Sequence, residues 1–127
     1  MTLKQLQEIF PSATADTWHQ HPNGGGWVQN TAWVSDTAWV SGNAKVSGNA
    51  KVSGNYSVSP LQIQGTKFFF NEKTPGTLQI GCLEGSINWW IANGETVAKE
   101  QGFSDSEIAE YRLYVELATK LHAARNK

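Results

Sequence analysis

The sequence is poor in several residue types, and each scarcity excludes a class of protein. Its 127 residues include a single cysteine, Cys82, which excludes an internal disulfide framework and a thiol-rich zinc site. Charged residues make up 17% of the chain, 10 basic and 11 acidic, which excludes a strongly basic surface for long nucleic acids. No apolar run approaches the roughly 18 residues of a membrane span. Residues 1–10 carry Lys4 and Glu8 within their apolar pattern, unlike a signal peptide, so we expect a cytoplasmic protein.

A six-residue repeat that begins at Val28 is the most regular feature of the chain. Its five copies are VQNTAW, VSDTAW, VSGNAK, VSGNAK and VSGNYS, and Pro60 stops a sixth. Valine opens every copy, and alanine stands four residues later except in the fifth copy, which has Tyr56. A helix turns every 3.6 residues and cannot keep valine on one face at this spacing. The repeat predicts short strands whose Val and Ala side chains point inward, with Gly-Asn or Asp-Thr corners.

This repeat resembles that of the hexapeptide-repeat, left-handed β-helix proteins, in which three hexads make one triangular coil. The resemblance implies about two coils over residues 27–60, with side chains 18 residues apart stacked on one another. The expected inner pairs are Val28 with Val46, Val34 with Val52, and Val40 with Val58. On the outside, Trp27 is expected beside Lys45 and Trp33 beside Lys51, as two cation–π pairs.

Two coils form a small core, so we expect support from the flanks, from further copies of the chain, or from both. Trp27, Trp33 and Trp39 share the outward position of the repeat, and they are predicted to form an oligomer interface. The expected assembly is a homo-oligomer, either a trimer, a multiple of a trimer, or a form based on dimers. Open strand edges at the ends of the coils are a further expected contact surface.

The flanks are predicted to complete one domain over residues 1–127, mostly β with a C-terminal α part. Residues 2–26 are assigned to a short helix capped by Thr2 and to a glycine-rich entry. Residues 61–83 alternate polar and apolar side chains around Pro75-Gly76, which predicts a β-hairpin with Cys82 packed on its apolar face. Residues 86–125 predict two helices, capped by Ser86 and by a Ser104–Glu107 capping box, with Gly102 ending the first.

The whole chain also resembles a family of small phage and prophage hexapeptide-repeat proteins. The resemblance covers residues 2–58 and 78–121, and it depends on His21-Pro-Asn-Gly-Gly-Gly-Trp27, the hexads, Ile80-Gly-Cys82, Trp89-Trp90 and the helical tail. It implies a binding protein that works inside a bacterial host, of the kind that counters host defence. Some such proteins sequester a nucleotide-derived immune signal, such as a cyclic nucleotide or a cyclic ADP-ribose type, inside an oligomer.

Candidate residues for such a ligand lie in the C-terminal half. Trp89 and Tyr111 offer aromatic rings for stacking, Asn88 and Asn93 offer amides, and Arg112 offers a cation for phosphate. These residues therefore form the predicted ligand site, with no cofactor. The stripe of Arg112, Glu116 and Lys120 is also predicted to be a solvated ion-pair ladder.

Other functions stay open at this point. The chain is also compatible with an inhibitor that docks on a host defence protein, or with a structural piece of the virion. A hexapeptide-repeat acyltransferase needs a histidine base at the hexads, but His19, His21 and His122 all lie outside them. His19 and His21 lack a third metal partner and are predicted to be loop residues. We therefore predict no catalytic residue, no metal site and no enzyme.

Overall fold

A capped helix opens the chain, as predicted. In the computed structural model, which describes residues 1–126, α1 spans Leu3–Ile9 and begins with a capping box between Thr2 and Gln5. Leu6 on this helix is fully buried against Trp27 and Trp18. Trp27 is only 8% exposed, and its Nε1 donates to the Met1 carbonyl at 2.8 Å. The prediction that Trp27 lies on an exposed interface is therefore wrong, because the N-terminal segment covers its ring.

The repeat forms short parallel strands stacked 18 residues apart. After the antiparallel pair β1 (Trp18–Gln20) and β2 (Trp27–Gln29), β2 pairs in parallel with β4 (Lys45–Val46), and β3 (Trp33–Val34) pairs with β5 (Lys51–Val52). The register joins Val28 to Val46 and Val34 to Val52, as predicted. The one cation–π contact found within the described residues places the Lys67 ammonium over the Phe103 ring. The Lys45 ammonium instead donates a hydrogen bond to the Asn43 carbonyl. The two predicted Trp–Lys cation–π contacts are thus not formed.

The third predicted pair is displaced by two residues. Val40 forms a parallel bridge with Tyr56, and Val58 is 54% exposed. The Tyr56 N–H donates to the Trp39 carbonyl at 2.7 Å, and its ring fills the interior. The larger side chain occupies the space that a valine would enter, so the prediction for Val58 is wrong. Val28, Val40, Val46 and Val52 are buried as predicted, whereas Val34 is only partly buried.

Side-chain amides close the strand edges that were predicted to be open. Gln62 accepts from the Ser47 N–H and donates to the Lys45 carbonyl. Asn71 accepts from the Lys51 N–H at 3.2 Å and donates to the Lys51 carbonyl at 2.8 Å. Each amide supplies one donor and one acceptor, which is what an added strand would supply. These edges are therefore satisfied by the chain itself.

A four-stranded antiparallel sheet follows the repeat, larger than the predicted hairpin. Its strands are β6 (Gln62–Gln64), β7 (Phe69–Thr74), β8 (Thr77–Ile80) and β9 (Leu83–Ser86), in that spatial order. Gly76, with φ of +87°, turns the chain between β7 and β8 as Pro75-Gly76 predicts. Cys82 lies in the turn between β8 and β9 and is exposed. The prediction of a packed Cys82 is wrong, because the strand ends two residues before it.

Two helices cover one face of this sheet, and their predicted ends are confirmed. α2 (Ile87–Glu100) begins with the Ser86 cap, and α3 (Asp105–Arg125) begins with the capping box of Ser104 and Glu107. Phe70 and Leu78 of the sheet pack against Trp90 and Tyr111 of the helices. Helices hold about 33% of the chain and strands about 26%, so the fold is mixed rather than mostly β. No helix within residues 1–126 combines the length and apolar character needed to cross a bilayer.

Candidate functional site

A groove of about 500 Å³ lies between the two C-terminal helices and the sheet. This volume falls within the range of small-molecule pockets. The sheet side contributes Phe68, Ile80, Cys82 and Leu83, and the loop between the helices contributes Phe103. The helices contribute an inner set (Trp90, Val97, Ala98, Ile108, Tyr111, Val115 and Thr119) and an outer set (Ile91, Gly94, Glu95, Gln101, Arg112, Glu116 and Lys120).

The polar atoms of the inner set are already paired within the protein. Trp90 Nε1 donates to the Leu78 carbonyl at 3.0 Å. The Tyr111 hydroxyl donates to the Phe68 carbonyl at 2.8 Å and accepts from the N–H groups of Lys67 and Phe68. Thr119 Oγ1 donates to the Val115 carbonyl at 2.7 Å. The floor therefore presents apolar surface to anything that enters the groove.

Charged side chains stand only on the exposed rim. Arg112 Nη2 lies 3.5 Å from a Glu95 carboxylate oxygen, which joins α3 to α2 across the groove. Lys99 lies 3.7 Å from the other Glu95 oxygen. The ion pair of Arg112 thus runs between helices, rather than along α3 as the predicted ladder required. Exposed pairs of this length contribute little to stability, so Arg112 remains available to a ligand.

Gly94 keeps the groove open on the α2 side. A Cβ added at this position would meet Trp90 Cε3 at 3.7 Å, which is ordinary contact. Gly94 lies on the face of α2 that the apolar pattern assigns to the interior, where a larger residue is usual. The missing side chain leaves space that the neighbouring residues do not fill.

The structure brings together two of the five predicted ligand residues. Tyr111 and Arg112 line the groove, whereas Trp89, Asn88 and Asn93 do not. Asn93 donates to the Trp89 carbonyl at 3.0 Å, one turn earlier on α2. Asn88 borders a separate shallow hollow beside His122. The five residues therefore do not form one site.

Trp89 has a structural role that its sequence position does not reveal. A Cβ at Gly85 would lie 2.8 Å from Trp89 Cε3, so the indole packs directly on the glycine backbone of β9. The ring also meets Trp90 edge-on, with centroids 5.0 Å apart. Trp89 nevertheless remains 41% exposed. Trp89 therefore packs α2 against the edge strand β9 and lies outside the groove.

The entry histidines are held by hydrogen bonds. His21 is buried, and its Nε2 lies 2.7 Å from the Ala38 carbonyl, to which it donates. His19 lies in β1 with Nδ1 2.7 Å from Asn30 Oδ1. His19 therefore lies in a strand rather than in the predicted loop, whereas His21 follows β1 in a loop, as predicted, but is buried there. Within residues 1–126, no group of three His, Cys, Asp or Glu side chains is placed to hold a metal ion.

The remaining predicted interface residues are exposed. Trp33 is 53% and Trp39 is 52% exposed, in contrast to the covered Trp27. Residues that sequence reasoning missed are Cys82 in the β8–β9 turn, Leu83 at the start of β9 and Phe68 in the loop before β7, which all line the groove. For Cys82 and Leu83 the signal is the turn at Gly81, with φ of +59°, which returns the chain to the edge of the groove.

Comparison with known proteins gives no relative, since no family model matches the chain and neither curated proteins nor solved structures contain a significant match.

Proposed function

We propose that this protein acts by binding a small ligand, without chemistry, and that the groove between α2 and α3 is its binding site. The observation that carries the proposal is an open, apolar volume of about 500 Å³ whose inner polar atoms are already paired. Apolar surface left unfilled in a small domain lowers stability. A ligand that fills the groove recovers that loss, and sequestration is the function that such binding serves.

An apolar fluorescent dye tests this proposal. Anilinonaphthalene sulfonate is expected to bind with enhanced fluorescence, and Gly94→Leu is expected to abolish the binding by filling the groove. The matched control is Ala92→Leu, which adds the same side chain at an exposed position of α2. Equal dye binding by both variants and the wild type would refute the proposal.

A nucleotide-derived signal is the second candidate ligand. Arg112 favours it, because an exposed guanidinium on the rim suits a phosphate. Against it, the Tyr111 hydroxyl is occupied and the amides of Asn88 and Asn93 lie elsewhere. Calorimetric titration with cyclic dinucleotides, cyclic trinucleotides and cyclic ADP-ribose derivatives decides this point, with Arg112→Gln as the variant expected to weaken binding.

We further propose that residues 27–60 form about two coils of a hexapeptide-repeat solenoid, and that copies of the chain associate through Trp33 and Trp39. The parallel register of 18 residues supports the first point, and the exposure of both indoles supports the second. A host defence protein is the alternative partner for these indoles. Sedimentation of the wild type and of Trp33→Ser/Trp39→Ser tests self-association, and a 14 kDa monomer at micromolar concentration would refute it.

A further inference from the structure

The groove is elongated. Its lining on α3 extends from Ile108 to Lys120, which at 1.5 Å per residue spans about 18 Å. The groove therefore suits an extended ligand that lies along the helices.

The paired polar atoms on the floor of the groove restrict the class of ligand that can bind there. The indole of Trp90 and the hydroxyls of Tyr111 and Thr119 are committed to backbone carbonyls. An extended peptide would bury its own N–H and C=O groups here without partners, at a large cost. A nucleobase would likewise lose the hydrogen bonds that its edge makes to water. An unbranched hydrocarbon chain has no such groups to lose.

The rim determines where a polar head is held. Arg112 makes an ion pair with Glu95 at 3.5 Å, and no hydrogen bond of its guanidinium is found within residues 1–126. Glu95 is already contacted by Lys99 at 3.7 Å, so its charge is partly neutralised without Arg112. The guanidinium thus keeps its donors for an incoming carboxylate, to which it binds in a bidentate manner.

On the basis of the proposed function, we propose that the ligand is a single-chain amphiphile with an anionic head, of the fatty-acid type. Its extended alkyl chain lies between α2 and α3 on the apolar floor, and its carboxylate contacts Arg112 at the rim. The exposed Cys82 lines the same groove, so its thiol is shielded when the chain is bound.

Dodecanoate, used below its micelle-forming concentration, tests the inference through the rate at which Cys82 reacts with a thiol reagent. Because Cys82 is the single cysteine, the rate reports on this groove alone. We expect dodecanoate to slow the reaction, with each methylene from octanoate to dodecanoate raising affinity about threefold to fourfold. Calorimetry is expected to give the same order of affinities.

Charge variants test the head group. Dodecyltrimethylammonium is expected to bind about tenfold or more weakly than dodecanoate, as the loss of a hydrogen bond between charged groups predicts. Arg112→Gln is expected to remove that preference. Lys99→Gln is the matched control, because Lys99 contacts the same Glu95 but does not line the groove. Equal binding of both amphiphiles by the wild type would refute the anionic head.

The two proposals fail in different ways. If anilinonaphthalene sulfonate binds and Gly94→Leu abolishes it, but dodecanoate neither binds nor protects Cys82, the amphiphile inference is wrong and the binding site stands. If cyclic nucleotides protect Cys82 and dodecanoate does not, the nucleotide candidate replaces it. If neither the dye nor dodecanoate binds, both proposals are refuted.

Discussion

The repeat of residues 27–58 and the sheet–helix unit of residues 61–126 fill their interiors differently. In the repeat, valines and alanines stack beside the Tyr56 ring, and most of the inner row is fully buried, as at Val46 and Val52. In the sheet–helix unit, aromatic rings from β7, from the loops that carry Phe68 and Phe103, and from both helices meet at several angles and leave a groove. Regular packing produces a closed scaffold, whereas irregular packing produces the space in which a ligand can bind.

The polar groups of the two regions differ in how fully they are paired within the protein. At the end of the repeat, Gln62 and Asn71 satisfy backbone groups that a partner strand would otherwise bind. At the groove, Arg112 is left with a single loose ion pair. Changes in the repeat should therefore alter stability, and changes around the groove should mainly alter binding.

The largest effect is expected for Val46→Asp, which places a charge in the closed interior of the repeat. Burial of an unpaired carboxylate is costly, and the variant should not fold. Val46→Ala is the control, with an expected loss of about 1–3 kcal/mol. Circular dichroism melting measures both, and wild-type melting of Val46→Asp would show that the inward assignment is wrong.

A smaller but clear loss is expected at the junction between the two regions. Asn71→Ala removes two part-buried hydrogen bonds to the N–H and C=O of Lys51, which should cost about 1–3 kcal/mol in unfolding free energy. Asn43→Ala, at an exposed corner of the repeat, should stay within about 0.5 kcal/mol of the wild type. Urea unfolding compares them, and equal losses would contradict the bridging role of Asn71.

Two buried tyrosines differ in whether their hydroxyl has a hydrogen-bond partner, and removal of each hydroxyl should therefore have a different effect on stability. Tyr111→Phe removes a hydroxyl with three backbone partners and should cost about 1–3 kcal/mol. The Tyr56 hydroxyl is buried without a hydrogen-bond partner, so Tyr56→Phe should be neutral or stabilising. Thermal unfolding of the two variants should diverge, and a larger loss for Tyr56→Phe would reverse this account.

Replacement of two glycines by alanine should change stability by a smaller amount, and in opposite directions. Gly94→Ala should stabilise by about 0.5–1 kcal/mol, because its φ is helical and the added Cβ meets no clash. Gly102→Ala should destabilise, because Gly102 ends α2 with φ of +77°. Denaturant midpoints distinguish the signs. Destabilisation by Gly94→Ala would mean that the α2 side of the groove is not open.

The smallest effect concerns pH. Hydrogen bonds from Thr66 and Tyr114 lower the pKa of Glu110, and the Glu110 hydrogen bond raises the pKa of Tyr114 to about 12. The Glu110 contribution is present above its unfolded pKa and is lost as pH falls through its lower folded pKa. The Tyr114 contribution is present below its unfolded pKa of about 10 and is lost as pH rises towards 12.

Melting temperature against pH measures these two contributions. Glu110→Gln should flatten both the acid side and the alkaline side of the profile, because it removes the main cause of each pKa shift. An unchanged profile in this variant would show that the pair does not contribute to stability.

Sequence reasoning succeeds where the deciding contact is local or repeated. The caps at Thr2, Ser86 and Ser104 each depend on a hydrogen bond to a residue three positions away. The register of Val28 on Val46 follows from the period of the repeat. Such features can be predicted because they depend on residues that are close in sequence or that recur at a fixed spacing.

It fails where a distant segment decides the environment. Trp27 has the same repeat position as Trp33, but α1 covers the first and not the second. Cys82 follows an alternating pattern, but the strand ends before it. Tyr111 and Arg112 were predicted as ligand residues from their side-chain chemistry and do line the groove, whereas Phe68 and Leu83 reach it only through the sheet topology.

The most direct test of the central claim is a map of backbone amide chemical shifts during titration with anilinonaphthalene sulfonate. If the repeat is a scaffold and the groove is the binding site, the chemical-shift changes will concentrate between residues 80 and 120, in Ile80–Leu83 and in the parts of α2 and α3 that line the groove. Residues 28–58 will remain unchanged. Shifts centred on Trp33 and Trp39, with none around Gly94, would contradict the account.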